Sequence, residues 1–202
     1  MYERVDKRVE NGRKTTIKLL KIARRMFSKR GYGDTSMEEI VQKANVTRGA
    51  LYHHFSGKKG LFVRVFEDAL TDVVKRVEKP QGEDLNTWEK LLASTHAYLN
   101  ACIDPELQQI ILIDAPAILG WDVWRRVDEE KSLHILKGLL TKLMEEEVIE
   151  SMPVDALAHI ISGAVNESVL WIAQSEDPQK ALEEVWSTMK SMMNCLRIGS
   201  RI

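Results

Sequence analysis

The chain is short of several things, and each shortage narrows what it can be. It has two cysteines, Cys102 and Cys195, far apart and without another Cys or a His at metal-ligand spacing, so neither a disulfide framework nor a zinc site is expected. Buried free thiols are the simpler reading. No apolar run approaches the roughly 18 residues of a membrane span, and the mixed-charge N-terminus lacks the apolar stretch of a secretory signal, which points to the cytoplasm. There is no glycine-rich phosphate loop, no nucleophile-elbow serine and no His-Glu-x-x-His. The five histidines are scattered, and Gly57-Lys58-Lys59-Gly60 has the wrong spacing for a phosphate loop. No enzymatic activity, metal or cofactor is therefore expected. With five prolines, 11 glycines and little β-branched alternation, strands have small claim on the sequence, and the fold class is all-α.

What is present is an asymmetry of charge hidden under a net charge of -1. Residues 1–60 hold fifteen Lys and Arg against six Asp and Glu, while the remainder holds 14 against 24. A basic head on an acidic body is expected where one module meets a polyanion and the other meets itself or a small molecule. The break at Pro80, Gln81 and Gly82 is the strongest punctuation in the chain. The organisation expected is a DNA-binding domain over residues 1–60 and a helical ligand-binding and dimerisation domain over residues 61–202.

Periodicity places a first helix at about Thr15 to Arg30, with Leu19, Ile22, Ala23, Met26 and Phe27 on one face and Gly31 ending it. Two short segments follow, Ser36 to Ala44 and Thr47 to about Phe55, separated only by Asn45 and Val46, the length of a helix-turn-helix. Ser36, with Thr35 sharing the role, is a natural N-cap, and Glu39 completes a capping box. Asn45 tolerates the left-handed backbone of a helix end, and Thr47 caps the next helix. This presents Arg48, Gly49, Tyr52 and His53 on the half that enters a major groove. Arg48 is the one residue there suited to a bidentate contact with guanine, and Thr47 suits a thymine methyl. Lys58 and the Tyr52 hydroxyl are the phosphate candidates. Further helices are expected at about Gly57 to Lys79, Leu85 to Cys102, Pro105 to Ile113, Trp121 to Glu147, Pro153 to Gln174 and Pro178 to Ile198.

The run from Thr35 through Ala44, Asn45, Val46 and Thr47 to Phe55, followed by Gly57-Lys-Lys-Gly-Leu-Phe, closely resembles the DNA-binding head of the tetracycline-repressor (TetR) family over about residues 12 to 65. Asn45 stands where members commonly have Gly. The resemblance implies a three-helix head, a fourth helix joining it to a larger helical core, and a homodimer built on the last two helices. It also implies that a small ligand in the core weakens binding to a double-stranded DNA operator.

The larger module fits that expectation. Leu157, Ile161, Ala164, Ser168 and Trp171 form one apolar stripe, and Leu182, Val185, Trp186, Met189, Met192, Met193 and Leu196 form another; all of these but Met192 and Leu196 are singled out as the candidate dimer interface. All five tryptophans lie beyond the head. Trp121 and Trp124, with His96, Asp114, His134 and Asn166, are candidates to line a mostly apolar pocket for an effector of unknown identity. The expected function is that of a transcription regulator, a repressor released from a palindromic operator by a small apolar or amphipathic molecule. The alternative is a sequence-indifferent architectural DNA-binding protein.

Overall fold

The computed structural model describes residues 2–79 and 84–199, the side chains of 2–9 and 11 excepted. The proposed break at Pro80, Gln81 and Gly82 lies outside the described residues. Within them the chain is helical, and the single β feature is an isolated antiparallel bridge between Ile149 and Arg197. The helices are α1 (Tyr2–Arg30), α2 (Met37–Ala44), α3 (Arg48–His54), α4 (Gly57–Glu78) and α5 (Thr87–Cys102). They continue with α6 (105–119), α7 (121–145), α8 (Val154–Gln174) and α9 (Pro178–Asn194).

The described residues divide into two compact units: the chain up to Ala69 with Gln109–Trp124, and Leu70–Gln108 with the chain from Arg125 onward. In the first unit α1 contributes Leu19, Ala23 and Phe27 to a core completed by Ile40, Leu51 and Phe62, all fully buried. Each such side chain contributes roughly 1.5–3 kcal/mol by leaving water. Phe27, Tyr32 and Phe62 meet with ring centroids 5.1–5.7 Å apart. Segment 109–124 adds Ile110, Ile111 and Leu119, and the Trp124 indole N–H donates to the Ile111 carbonyl at 2.8 Å. In the second unit Leu91 and Leu99 of α5, Leu140 of α7, Ile161 and Val169 of α8 and Leu182 of α9 share a core.

Four expectations need correction. Helix α1 starts at Tyr2 and not near Thr15: Asn11 and Gly12 cost about 1 kcal/mol at most, too little to stop a helix with Lys14 paired to Glu10 at 2.7 Å. Helix α6 does not stop at Ile113. Pro116 has no N–H to return to the preceding turn, and the backbone widens into a π turn over Gln109–Asp114 before resuming at Ala115–Leu119. The stretch read as one helix from Trp121 likewise contains a π turn at Glu129–Leu133. Finally, α8 has the length and mean hydropathy, 1.3, of a membrane-crossing helix, although no run was expected to approach that. It carries Asp155, His159, Asn166 and Glu167 and buries Leu157, Ile161, Val165 and Val169, the pattern of a core helix in a helical unit.

Candidate nucleic-acid interface and ligand cavity

The turn between α2 and α3 is built by local chemistry. Ser36 caps α2, its hydroxyl accepting from the Glu39 N–H at 3.1 Å. The reciprocal half of the expected capping box is absent, because the Glu39 carboxylate accepts from Arg30 at 2.9 Å instead. Asn45 closes α2 in the left-handed region at φ 51°, its N–H donating to Gln42 at 3.1 Å. Thr47 then caps α3, accepting from the Ala50 N–H at 3.1 Å. These caps set the ends of the two helices locally, and the buried Leu51 seats α3 on the core of the first unit.

The outer face of α3 is wet. Thr47, Arg48, Gly49, Tyr52 and His53 are all exposed, while Leu51 turns inward. The Arg48 guanidinium lies 5.5 Å from the centroid of the Tyr52 ring and 3.4 Å from the Glu38 carboxylate. It is an exposed cation held by weak partners, and such a pair is easily exchanged for a stronger acceptor. His54 is half-buried, with its Nδ1 3.3 Å from the Thr16 hydroxyl.

Two candidates are placed differently from their neighbours. Thr35 is buried, and its hydroxyl donates to the Gly31 carbonyl at 2.9 Å, so it shapes the turn after α1. Lys58, in the first turn of α4, is half-buried; its ammonium donates to the Gly33 carbonyl at 3.2 Å and sits 4.3 Å from the centre of the Tyr32 ring. Thr35, Ser36, Tyr52 and Lys58 nonetheless border one concavity of the surface, together with Asp34 and Glu38.

The second unit contains a partly open apolar cavity of about 70 Å³. Its walls come from α4 (Val73, Val74, Val77), α5 (Leu91, Ser94, Thr95, Tyr98), α7 (Ser132, Leu133, Leu136) and α8 (Ile161, Ser162, Val165). None of the six residues proposed from sequence lines it. His96 is exposed on α5, 4.5 Å from the Trp186 ring, and burial moves its imidazole pKa down. His134 is exposed. Asn166 stands behind the wall, its Oδ1 accepting from the Tyr98 hydroxyl at 3.0 Å. In the first unit, Trp121 is 59% exposed and stacks on buried Trp124. Asp114 there accepts from the Tyr32 N–H at 2.8 Å and the Gln109 side chain at 3.1 Å. Burial pushes its carboxyl above the usual range, with those two donors and Lys58 pulling the other way. Sequence reasoning looked for polar and aromatic residues and passed over the aliphatic ones. A valine beside a cavity has the same periodicity as a valine in a core.

The ten candidates for a dimer face also separate. Leu157, Ile161, Leu182, Met189 and Met193 are buried within the single chain and have no surface left to offer a second copy. Ala164, Ser168, Val185 and Trp186 are half-buried, and Trp171 is 52% exposed. Beside them Met192, of the same expected stripe, is 59% exposed, and Ile160, outside the expected set, is 69% exposed.

Residues 19–65 match the family described as bacterial regulatory proteins, tetR family, and residues 88–196 match the tetracyclin repressor-like C-terminal domain. The chain is 29% identical over 154 residues to the TetC protein of transposon Tn10 from Escherichia coli, covering 76% of this chain and 78% of that one. It resembles the structure of a TetR-family transcriptional regulator from Pectobacterium atrosepticum, with a TM-score of 0.78 and 33% identity over 95% of this chain and 98% of the other. The fold is shared also with FadR from Bacillus subtilis, solved in complex with stearoyl-CoA, at a TM-score of 0.71 and 20% identity over 86% and 96% of the two chains.

Proposed function

The chain belongs to the TetR family of transcriptional regulators, and we propose that it is a ligand-responsive repressor that binds a palindromic DNA operator as a homodimer. The observation that carries this reading is the capped helix α3, which holds Arg48, Tyr52 and His53 exposed on the face of a basic head. In the proposed complex Arg48 leaves Glu38 to make a bidentate contact with guanine, and the Thr47 methyl meets a thymine while its hydroxyl keeps the cap. Ser36, the Gly49 backbone, the Tyr52 hydroxyl and the first turn of α4 approach phosphates, and Lys58 contributes its charge from beside Tyr32. Thr35 supports the same surface from beneath.

Residues 1–60 serve in this account as the DNA-binding domain and residues 61–202 as the ligand and dimerisation domain. One recognition helix reads few base pairs, and a two-fold dimer doubles that by placing two heads about 34–36 Å apart in successive major grooves. Ile160, Ala164 and Trp171 on α8 and Val185 and Met192 on α9 recur at helical spacing and are assigned to the shared face. The effector is assigned to the apolar cavity, whose wall includes three valines of α4, the helix whose first turn carries Lys58. A ligand larger than about 70 Å³ parts that wall, and its preference for the parted state weakens DNA binding. The stearoyl-CoA of FadR likewise places a long hydrocarbon chain in a protein of this fold, there joined to a charged coenzyme A head. A regulator of this kind works beside the chromosome, in the cytoplasm, with no cofactor and no catalysis.

Transcript profiling of a strain lacking the gene tests the direction of control. Transcripts beside the operator should rise. A fall would make the protein an activator, and no change at any gene adjoining a bound site would remove the regulatory reading.

A further inference from the structure

The hydroxyl groups around the cavity are unequal. Thr95 donates to the Leu91 carbonyl at 2.8 Å and Tyr98 donates to Asn166 at 3.0 Å. Ser132 donates to the carboxylate of Asp128 at 2.5 Å. Ser94 is also engaged. The hydroxyl of Ser162 on α8 has no hydrogen-bond partner among the described residues, so its proton is available to a ligand. No Asp, Glu, Lys, Arg or His lines the cavity. The carboxylate nearest in the bonding network, Asp128, is 2% exposed and shared between Ser132 and Arg125, the latter at 3.3 Å.

We propose that the cavity takes an uncharged, largely hydrocarbon molecule with one hydrogen-bonding head, and that Ser162 is the residue that anchors this head. The inference rests on the reading of the cavity as the effector site and specifies what the effector is. An anion entering here meets the lone pairs of Thr95, Tyr98 and Ser132, whose protons are already committed, with the Asp128 carboxylate behind Ser132. A cation meets no free carboxylate. Either ion gives up its hydration for neutral hydroxyl partners alone, with no counter-charge in the wall. A hydroxyl or carbonyl loses little, since Ser162 donates to it, and the alkyl remainder lies against Val77, Leu91, Leu136 and Val165.

The test uses the full-length protein and three probes of one length, 1-hexanol, hexanoate and hexylammonium, titrated calorimetrically at pH 7, where the acid and amine are ionised. 1-Hexanol should bind at least about tenfold more tightly than either ion. Ser162→Ala, which removes one oxygen from a half-buried site, should weaken 1-hexanol by about two- to tenfold with unchanged helicity. Val165→Phe, which fills the space, should abolish its binding. Equal or tighter binding of an ion, no binding of any probe, or 1-hexanol binding indifferent to both substitutions would overturn the proposal. If 1-hexanol behaves as expected but leaves DNA affinity unchanged, the ligand class stands and the effector reading falls. A charged compound that releases DNA and is blocked by Val165→Phe would do the reverse.

Discussion

At Arg48 the protein balances two demands, keeping a cation exposed and keeping it in place. Glu38 at 3.4 Å and the Tyr52 ring do the second without burying it. Arg48→Ala should therefore relax preference at one operator position by about five- to a hundredfold, beyond the smaller, sequence-independent weakening that loss of one cation brings, as measured by binding to single-base operator variants and to random DNA. Glu38→Gln should tighten binding to every duplex, since it removes a like charge from beside the phosphates. The two thiols give a second residue-level test. Cys102 is buried and its thiol is pushed up to about 12, chiefly by desolvation, whereas Cys195 is exposed. A thiol reagent at pH 8 should label one cysteine per folded chain and two after denaturation; labelling of both in the folded state would contradict the burial. Because the unfolded thiol ionises near 9 and the folded one near 12, stability should fall as pH rises across that interval. The caps at Asn45 and Thr47 and the exposed position of Arg48 were legible in the sequence because they are set within a few residues. Those of Thr35 and Lys58 were not, because their partners, Gly31, Gly33 and the Tyr32 ring, lie where only the folded turn brings them.

Among elements, the helix-turn-helix was readable to within a residue or two because each boundary has its own cap. Asn45→Gly should keep its stability, while Asn45→Val should cost about 1–2 kcal/mol, the penalty of a branched side chain at φ 51°, measurable by chemical denaturation. The π turn over Gln109–Asp114 was not readable, because hydrophobic periodicity does not separate a helix of wider pitch from an ordinary one across six residues. It matters, since its last residue, Asp114, receives the Tyr32 N–H from the turn that follows α1. Asp114→Ala leaves that N–H without its acceptor and should destabilise the first unit by about 1–3 kcal/mol, visible as an earlier denaturation midpoint. The cavity was invisible for a related reason. Its wall is aliphatic, and what distinguishes Val73 or Ser162 from its neighbours is the empty space beside it.

For the molecule as a whole, charge was the most legible feature: fifteen basic residues against six acidic ones in the first sixty favour contact with a polyanion. The surface left for the proposed dimer face was only half legible, because an amphipathic helix shows that it has an apolar side and not which part of that side its own chain already covers. Ile160→Asp combined with Trp171→Arg should give a folded monomer in analytical ultracentrifugation, with unchanged helicity and operator binding reduced to the level of random DNA. A dimer that survives both changes would move the interface elsewhere. The central claim, that two copies of α3 read one operator, is tested most directly by selecting bound sequences from a random duplex pool at near-physiological salt, where sequence-indifferent attraction is weakest. The account expects an enriched palindrome with half-sites centred about 10–10.5 base pairs apart, and enrichment of a guanine lost with Arg48→Ala. A pool that emerges unenriched, with the protein bound to all of it equally, would contradict the account and leave an architectural DNA-binding protein in its place.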